Sequence, residues 1–208
     1  MDRLARALGE PALNVERPAV VTATPLEAAN ARKELPGWRV VCAGMALAHG
    51  HPEGDALISC GLAGGLGDRF QTGAVVIPRE VRRPDGSVLL CDDALTQRLI
   101  AGARRLGLEP VVEPLLTAPG VVTGAERARW WAQGYAAADM ETGLLRAPRV
   151  AGVRVFLDTP SRELSPAWLH PARALLDPRN WPQALWLARD SPRCARLAAR
   201  VIAGAWST

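Results

Sequence analysis

The chain opens, after a polar lead, on a pattern of short apolar runs broken by turn residues. Ala19, Val20, Val21, Thr22, Ala23 and Thr24 form an apolar, β-branched run, the character of a buried strand, and Pro25 stops it. Further strands are expected over residues 38–43, 56–60, 74–77, 111–116, 136–138 and 150–157. Several of these runs are continuously apolar, which marks strands covered on both faces; a sheet with one wet face alternates apolar and polar positions. Helical patterns fall between them at residues 26–34, 94–106 and 125–133, the last following a candidate cap, Thr123. This alternation predicts an α/β fold, a three-layer sandwich around a central mixed, largely parallel sheet.

From Ser165 onward the strand patterns stop. Helices are expected over residues 166–175, 181–189 and 192–205, opened by Ser-Pro, Trp-Pro and Ser-Pro pairs. There is no internal repeat and no long low-complexity linker. The 208 residues therefore read as one domain, with an N-terminal extension over 1–17 and a C-terminal helical appendage over 165–208.

Composition narrows the function classes. The positive charge of +4 comes from arginine, since Lys33 is the sole lysine beside 24 arginines. Those arginines are scattered among acids, without the dense basic run and interleaved aromatics of a nucleic-acid groove, so no nucleic-acid partner is expected. Cys42, Cys60, Cys91 and Cys194 lie far apart and read as reduced thiols of a cytoplasmic protein. No stretch approaches a membrane span or a signal peptide. His49 and His51 provide two ligands without a third and read as solvated loop residues, so no metal is expected.

Four segments could carry chemistry, and each has a plainer use. Residues 59–67, Ser-Cys-Gly-Leu-Ala-Gly-Gly-Leu-Gly, follow a strand as a glycine loop whose amides can approach a ligand, or form an ordinary turn. Asp139, Met140 and Glu141 stand at the end of an apolar run, where open α/β sheets bind ligands; a helix cap is the alternative. Asp158 ends another run and precedes Pro160, so it can be a turn residue. Glu27 lies just past the first strand, after Thr24, where helix-dipole complementation suffices.

In this order the segments resemble the purine and uridine phosphorylase superfamily, which includes methylthioadenosine/S-adenosylhomocysteine nucleosidase and futalosine hydrolase. The likeness rests on Glu27, Gly61 to Leu66, Gly73 to Pro78, Asp139 to Glu141 and Asp158. Within the superfamily, residues 176–190 make the chain look most like the hopanoid-associated phosphorylases, which release adenine from adenosylhopane.

The resemblance implies cleavage of a nucleoside N-glycosidic bond through an oxocarbenium-like state, which needs a general acid and an anionic neighbour. It assigns Asp158 as the acid toward purine N7, Glu141 and Met140 to the ribose, and Glu27 to the attacking water. Arg154 would steady the nucleophile or the carboxylates, or serve as a structural ion-pair partner. Thr24, Ala63 and Gly64 would line the substrate. No cofactor is implied beyond phosphate as a possible co-substrate, and a homo-oligomer, commonly a dimer, is expected.

Three departures stand out. Leu62 occupies a position where nucleosidases and many phosphorylases carry a hydroxyl, and the Gly-Asp-x-x-Arg phosphate loop is missing. The connections over residues 44–52 and 142–149 are too short for the usual crossover helices, which raises a weakened, non-catalytic nucleoside-binding protein as an alternative. Seven arginines and Trp168, Trp181 and Trp186 within residues 162–200 suggest either weak membrane-surface contact or packing on the sheet.

Overall fold

A computed structural model describes residues 17–207, so the N-terminal extension lies outside the described residues except for Arg17. Among the described residues nine strands form one mixed sheet: β1 (Ala19–Thr22), β2 (Val40–Cys42), β3 (Ala56–Gly65), β4 (Val75–Val76), β5 (Glu80–Arg82), β6 (Val88–Leu90), β7 (Leu115–Thr117), β8 (Ala137–Asp139) and β9 (Arg149–Asp158). Their order is β2-β1-β3-β8-β7-β5-β6, with β9 paired to both β3 and β4. The ten-residue strands β3 and β9 run parallel along their whole length. β1 lies parallel to the first half of β3, and β8 antiparallel to its last residues.

The continuously apolar runs are buried on both faces, as their composition requires. On one face lie α1 (Pro25–Glu34), α2 (Asp93–Arg105) and α5 (Trp181–Trp206), and α3 (Gly124–Ala132) and the short α4 (Pro171–Ala174) complete the helices. The main core joins Val20, Ile58, Val153 and Val155 of the strands to Leu99 and Ile100 of α2 and Val201 and Ile202 of α5. Burying each such side chain fully stabilises the fold by roughly 1.5–3 kcal/mol before entropy is counted. On the other face Phe156 packs with Phe70, whose ring lies 4.8 Å away, and with Val81 and Leu115.

Four local readings change. Gly61 to Gly65 do not form a loop; they continue β3, because β9 pairs Gly61 to Gly64 and β8 pairs Gly64 and Gly65. The helices expected over 181–189 and 192–205 are one helix, α5, running through Pro192. A proline inside a helix costs about 3 kcal/mol; here both halves bury into one core, Trp186 before the proline and Cys194 to Ala205 after it. Residues 166–175 supply only a 3-10 turn, Pro166–Leu169, and α4. β5 and β6 were not expected; they form an edge hairpin whose turn is held by Asp85 Oδ1, which accepts from the Ser87 amide (2.9 Å) and hydroxyl (2.7 Å). The short connections shrink to 3-10 turns at Met45–Leu47 and Thr142–Leu144.

Candidate active site

The ends of β1, β3, β8 and β9 converge on a cleft of about 200 Å³. Thr24, Glu27, Ala63, Gly64, Met140, Glu141 and Asp158, all anticipated from the sequence, line it together. A larger groove of about 620 Å³ lies under α5, and none of those residues borders it. Arg154 is the exception among the expected site residues: it lies behind the carboxylates instead of lining the cleft.

Glu27 is buried because its helix begins directly beneath the cleft. Its Oε2 accepts from the amides of Ala23 (3.1 Å) and Thr24 (2.8 Å) and from the Thr24 hydroxyl (2.9 Å). The Thr24 hydroxyl in turn accepts from the Glu27 amide, closing a capping box. Oε1 reaches across to accept from Leu62 N at 2.9 Å. The plain helix-capping use and the cleft location are thus both real, and Oε1 keeps capacity for another donor.

The glycines of β3 make this approach possible. A Cβ on Gly61 would stand 2.2 Å from Glu27 Oε1 and 2.8 Å from Arg154 Nη1, and one on Gly64 would stand 3.0 Å from Asp158 Oδ1. A bulge between Ala63 and Gly64 shifts the register, so that Gly64 pairs with Asp158. In the structure, Gly61 and Gly64 admit side-chain carboxylates, whereas Gly65 and Gly67 lie against the rings of Phe156 and Trp131.

Asp139 ends β8 and Glu141 follows it. Asp139 is structural, accepting from Thr117 Oγ1 (2.6 Å) and Thr142 N (3.1 Å). Arg154, fully buried on β9, donates to Ser59 Oγ (2.6 Å), sits 2.9 Å from Asp139 Oδ2 and donates to Glu141 Oε2 at 3.3 Å. Burial works against its charge, but Asp139, Glu141 and Glu27 outweigh it and raise its pKa. Glu141 Oε1 accepts from Ala46 N (3.2 Å), contributed by the strained turn that replaces the first crossover helix. Burial pushes the Glu141 carboxyl up to about 7; Arg154 opposes the rise, and Asp139 and Glu27 add to it.

Asp158 ends β9 and is buried. Its partner, Arg127 of α3, was missed: among 24 arginines in a helix of solvated appearance nothing singled it out. Arg127 is 2% exposed, donates to Gly65 O (2.6 Å) and Val122 O (3.1 Å), and forms a short ion pair with Asp158 Oδ2. Burial raises the pKa of Asp158, and the Arg127 guanidinium pulls the other way. Burial is the larger effect, and an apolar wall of Leu164, Trp168 and Leu169 from the C-terminal segment faces Asp158 across the cleft. That wall was also not foreseen.

No metal-ligating group of three or more His, Cys, Asp or Glu gathers among the described residues. No helix of the described residues is long and apolar enough to cross a membrane.

No family model and no curated protein matches this sequence. Solved structures do. The chain is similar to S-adenosylhomocysteine nucleosidase from Streptococcus pyogenes in complex with 5-methylthiotubericidin, at 13% identity and TM-score 0.70, over 93% of this chain and 97% of that one. It is similar to a Helicobacter pylori methylthioadenosine/S-adenosylhomocysteine nucleosidase variant with 5′-methylthioadenosine in the active site (10%, 0.66, 89% and 96%). A Helicobacter pylori futalosine hydrolase variant matches at 10% and 0.66, over 92% and 98%. The class of fold is therefore that of these nucleosidases, an α/β three-layer sandwich.

Proposed function

We propose that the cleft binds a purine nucleoside-like substrate and that the protein cleaves its N-glycosidic bond, releasing adenine. The observation that carries this reading is the convergence of Asp158 and Glu141, two buried carboxyl groups with raised pKa values, on one cleft in a nucleosidase fold. A carboxyl held up toward neutrality can donate a proton to a departing base near pH 7, and a second carboxylate can take ribose hydroxyl hydrogen bonds. As the C1′–N bond breaks, its electron pair moves onto the purine and Asp158 supplies the proton to N7. Water, oriented by Glu27 Oε1, attacks C1′ and passes one proton to that carboxylate as the C1′–O bond forms. Arg154 touches no substrate in this scheme; it positions Glu141.

Hydrolysis is favoured over phosphorolysis. Both arginines near the cleft are committed, Arg127 to Asp158 and Arg154 to Asp139 and Glu141, and the Leu62 amide is taken by Glu27. A phosphate nucleophile would find apolar Leu62 where it needs donors. For the substrate's 5′ substituent, the apolar lining by Met45, Leu62, Leu164, Trp168 and Leu169 suits a large hydrophobic group, and adenosylhopane is the finer candidate; methylthioadenosine and futalosine are the alternatives.

A second reading, a nucleoside-binding protein without turnover, draws on the Arg127–Asp158 ion pair, which works against protonating the acid. One experiment separates them. Purified protein is incubated with adenosine, methylthioadenosine and a hopanoid nucleoside, with and without phosphate, and free adenine is followed. Phosphate-independent release supports the nucleosidase; nucleoside binding without release supports the second reading, and neither binding nor release refutes both.

A further inference from the structure

One face of α5 belongs to the core, and the opposite face carries an ordered surface. Trp181, Leu185, Arg189, Arg193, Arg196 and Arg200 fall within an arc of about 120° at 100° per residue, so they form a single stripe. The stripe is polarised. Its N-terminal end is apolar, with Trp181 57% and Leu185 76% exposed, and the preceding turn adds Leu175 (51%) and Leu176 (83%). The rest is arginine. Between residues 173 and 200, six arginines stand beside only Asp177 and Asp190 in the same segment, and Glu34 of α1 pairs with one of them, Arg196, at 3.3 Å. Asp190 lies beneath Arg189 (3.1 Å) and Arg193 (3.6 Å), and a groove of about 620 Å³ runs under the row.

We propose that this face docks the protein on an anionic phospholipid bilayer, with the four apolar side chains entering the headgroup boundary and the arginines engaging lipid phosphates. Contiguous exposed leucines beside a tryptophan are costly in water and mark an interaction site. The Trp181 ring is held in place by its Nε1, which donates to Leu175 O at 3.1 Å. Guanidinium groups match phosphate oxygens two at a time, and the groove gives a headgroup somewhere to sit between them. Charge decides against the competing occupants. A second copy would bring one arginine row against another, and a nucleic acid would leave the apolar tip without a partner. Of the tryptophans after residue 164 only Trp181 serves this surface, because Trp186 is buried under Arg162, Trp168 walls the cleft and Trp206 packs on Trp38. The inference goes beyond the proposed reaction and does not depend on it.

The test is co-sedimentation of the full chain with vesicles of phosphatidylcholine alone and of phosphatidylcholine with phosphatidylglycerol, at low and physiological ionic strength. Binding is expected to the anionic vesicles only and to weaken with salt. The double variant Leu176→Ser, Leu185→Ser and, separately, Arg196→Gln, Arg200→Gln should each weaken it about tenfold or more, with thermal midpoints near wild type because all four side chains are exposed. Absence of binding at low salt overturns the proposal. So does binding that neither variant alters, a dimer that buries Leu176 and Leu185 with no vesicle binding, or binding of soluble glycerol phosphate or DNA in place of vesicles. Adenine release is not part of the readout, so the two proposals fail separately.

Discussion

Glu141→Gln removes a buried charge while keeping the side chain's volume, and its consequence for stability can be worked through with sign. The Glu141 pKa in the folded protein is raised from 4.5 to about 7. Between those values the folded state holds a proton that the unfolded chain has released, so stability falls as pH rises from about 4.5 through about 7 and then levels. A rise of this size corresponds to about 3 kcal/mol. In a domain of this length that is roughly 6–12 °C in thermal midpoint. The glutamine cannot titrate, and at pH 5 it closely mimics the protonated acid. Wild type and variant should therefore melt within a few degrees of one another at pH 5, and the variant should gain on wild type by about 3 kcal/mol by pH 8. The assay is differential scanning calorimetry of both proteins across that range. Titration of groups distant from Glu141 cancels in the difference and only the cluster around Arg154 contributes, so parallel curves for the two proteins would refute the raised Glu141 pKa and the buried electrostatics inferred from it.

Asp158→Asn should lower adenine release by about 10²–10⁴-fold with the fold retained, since the amide cannot deliver the proton; wild-type turnover in a folded variant removes Asp158 from the acid role. Arg127→Gln leaves Asp158 buried without its cation, which should cost about 3–5 kcal/mol at neutral pH and less in acid, where Asp158 is neutral. The same variant should move the alkaline limb of the pH–rate profile upward, because it removes the group that holds the Asp158 pKa down; an unmoved limb separates Arg127 from the acid. Gly61→Ala places a methyl 2.2 Å from Glu27 Oε1 and should destabilise by about 1–3 kcal/mol or more. A double-mutant cycle with Glu27→Ala should recover part of that loss, and strict additivity would show that the two do not meet.

The α/β class was legible because β1, β3 and β9 are nearly continuously apolar, broken only by single polar residues such as Ser59 and Arg154, and a two-sided burial pattern survives without knowledge of neighbours. The cleft was legible for a related reason: Glu27, Glu141 and Asp158 each sit where an apolar run ends, and ends of strands meet at one edge of a sheet. What the sequence hid depended on distant contacts. Whether Gly61 to Gly65 turn or extend is decided by the β9 edge more than 80 residues away in the chain. Pro192 signals a break locally, and only the shared core under both halves of α5 overrides it. The β5–β6 hairpin lies at the sheet's margin with Val88 and Leu90 exposed, so its strands carry no clear inward face. Arg127 looks like any surface arginine until α3 is folded against the end of β9.

Glu27 holds the first turn of α1 with one oxygen and the backbone of β3 with the other, which makes it a hinge between two equilibria. A ligand or water that draws Glu27 toward the cleft competes with the amides of Ala23, Thr24 and Leu62, and so loosens the start of α1 as it binds. Occupancy of the cleft and order in that helix are then a single thermodynamic cycle. Amide exchange at the head of α1 becomes a gauge of how hard the bound molecule pulls on the carboxylate, readable without any chemical turnover.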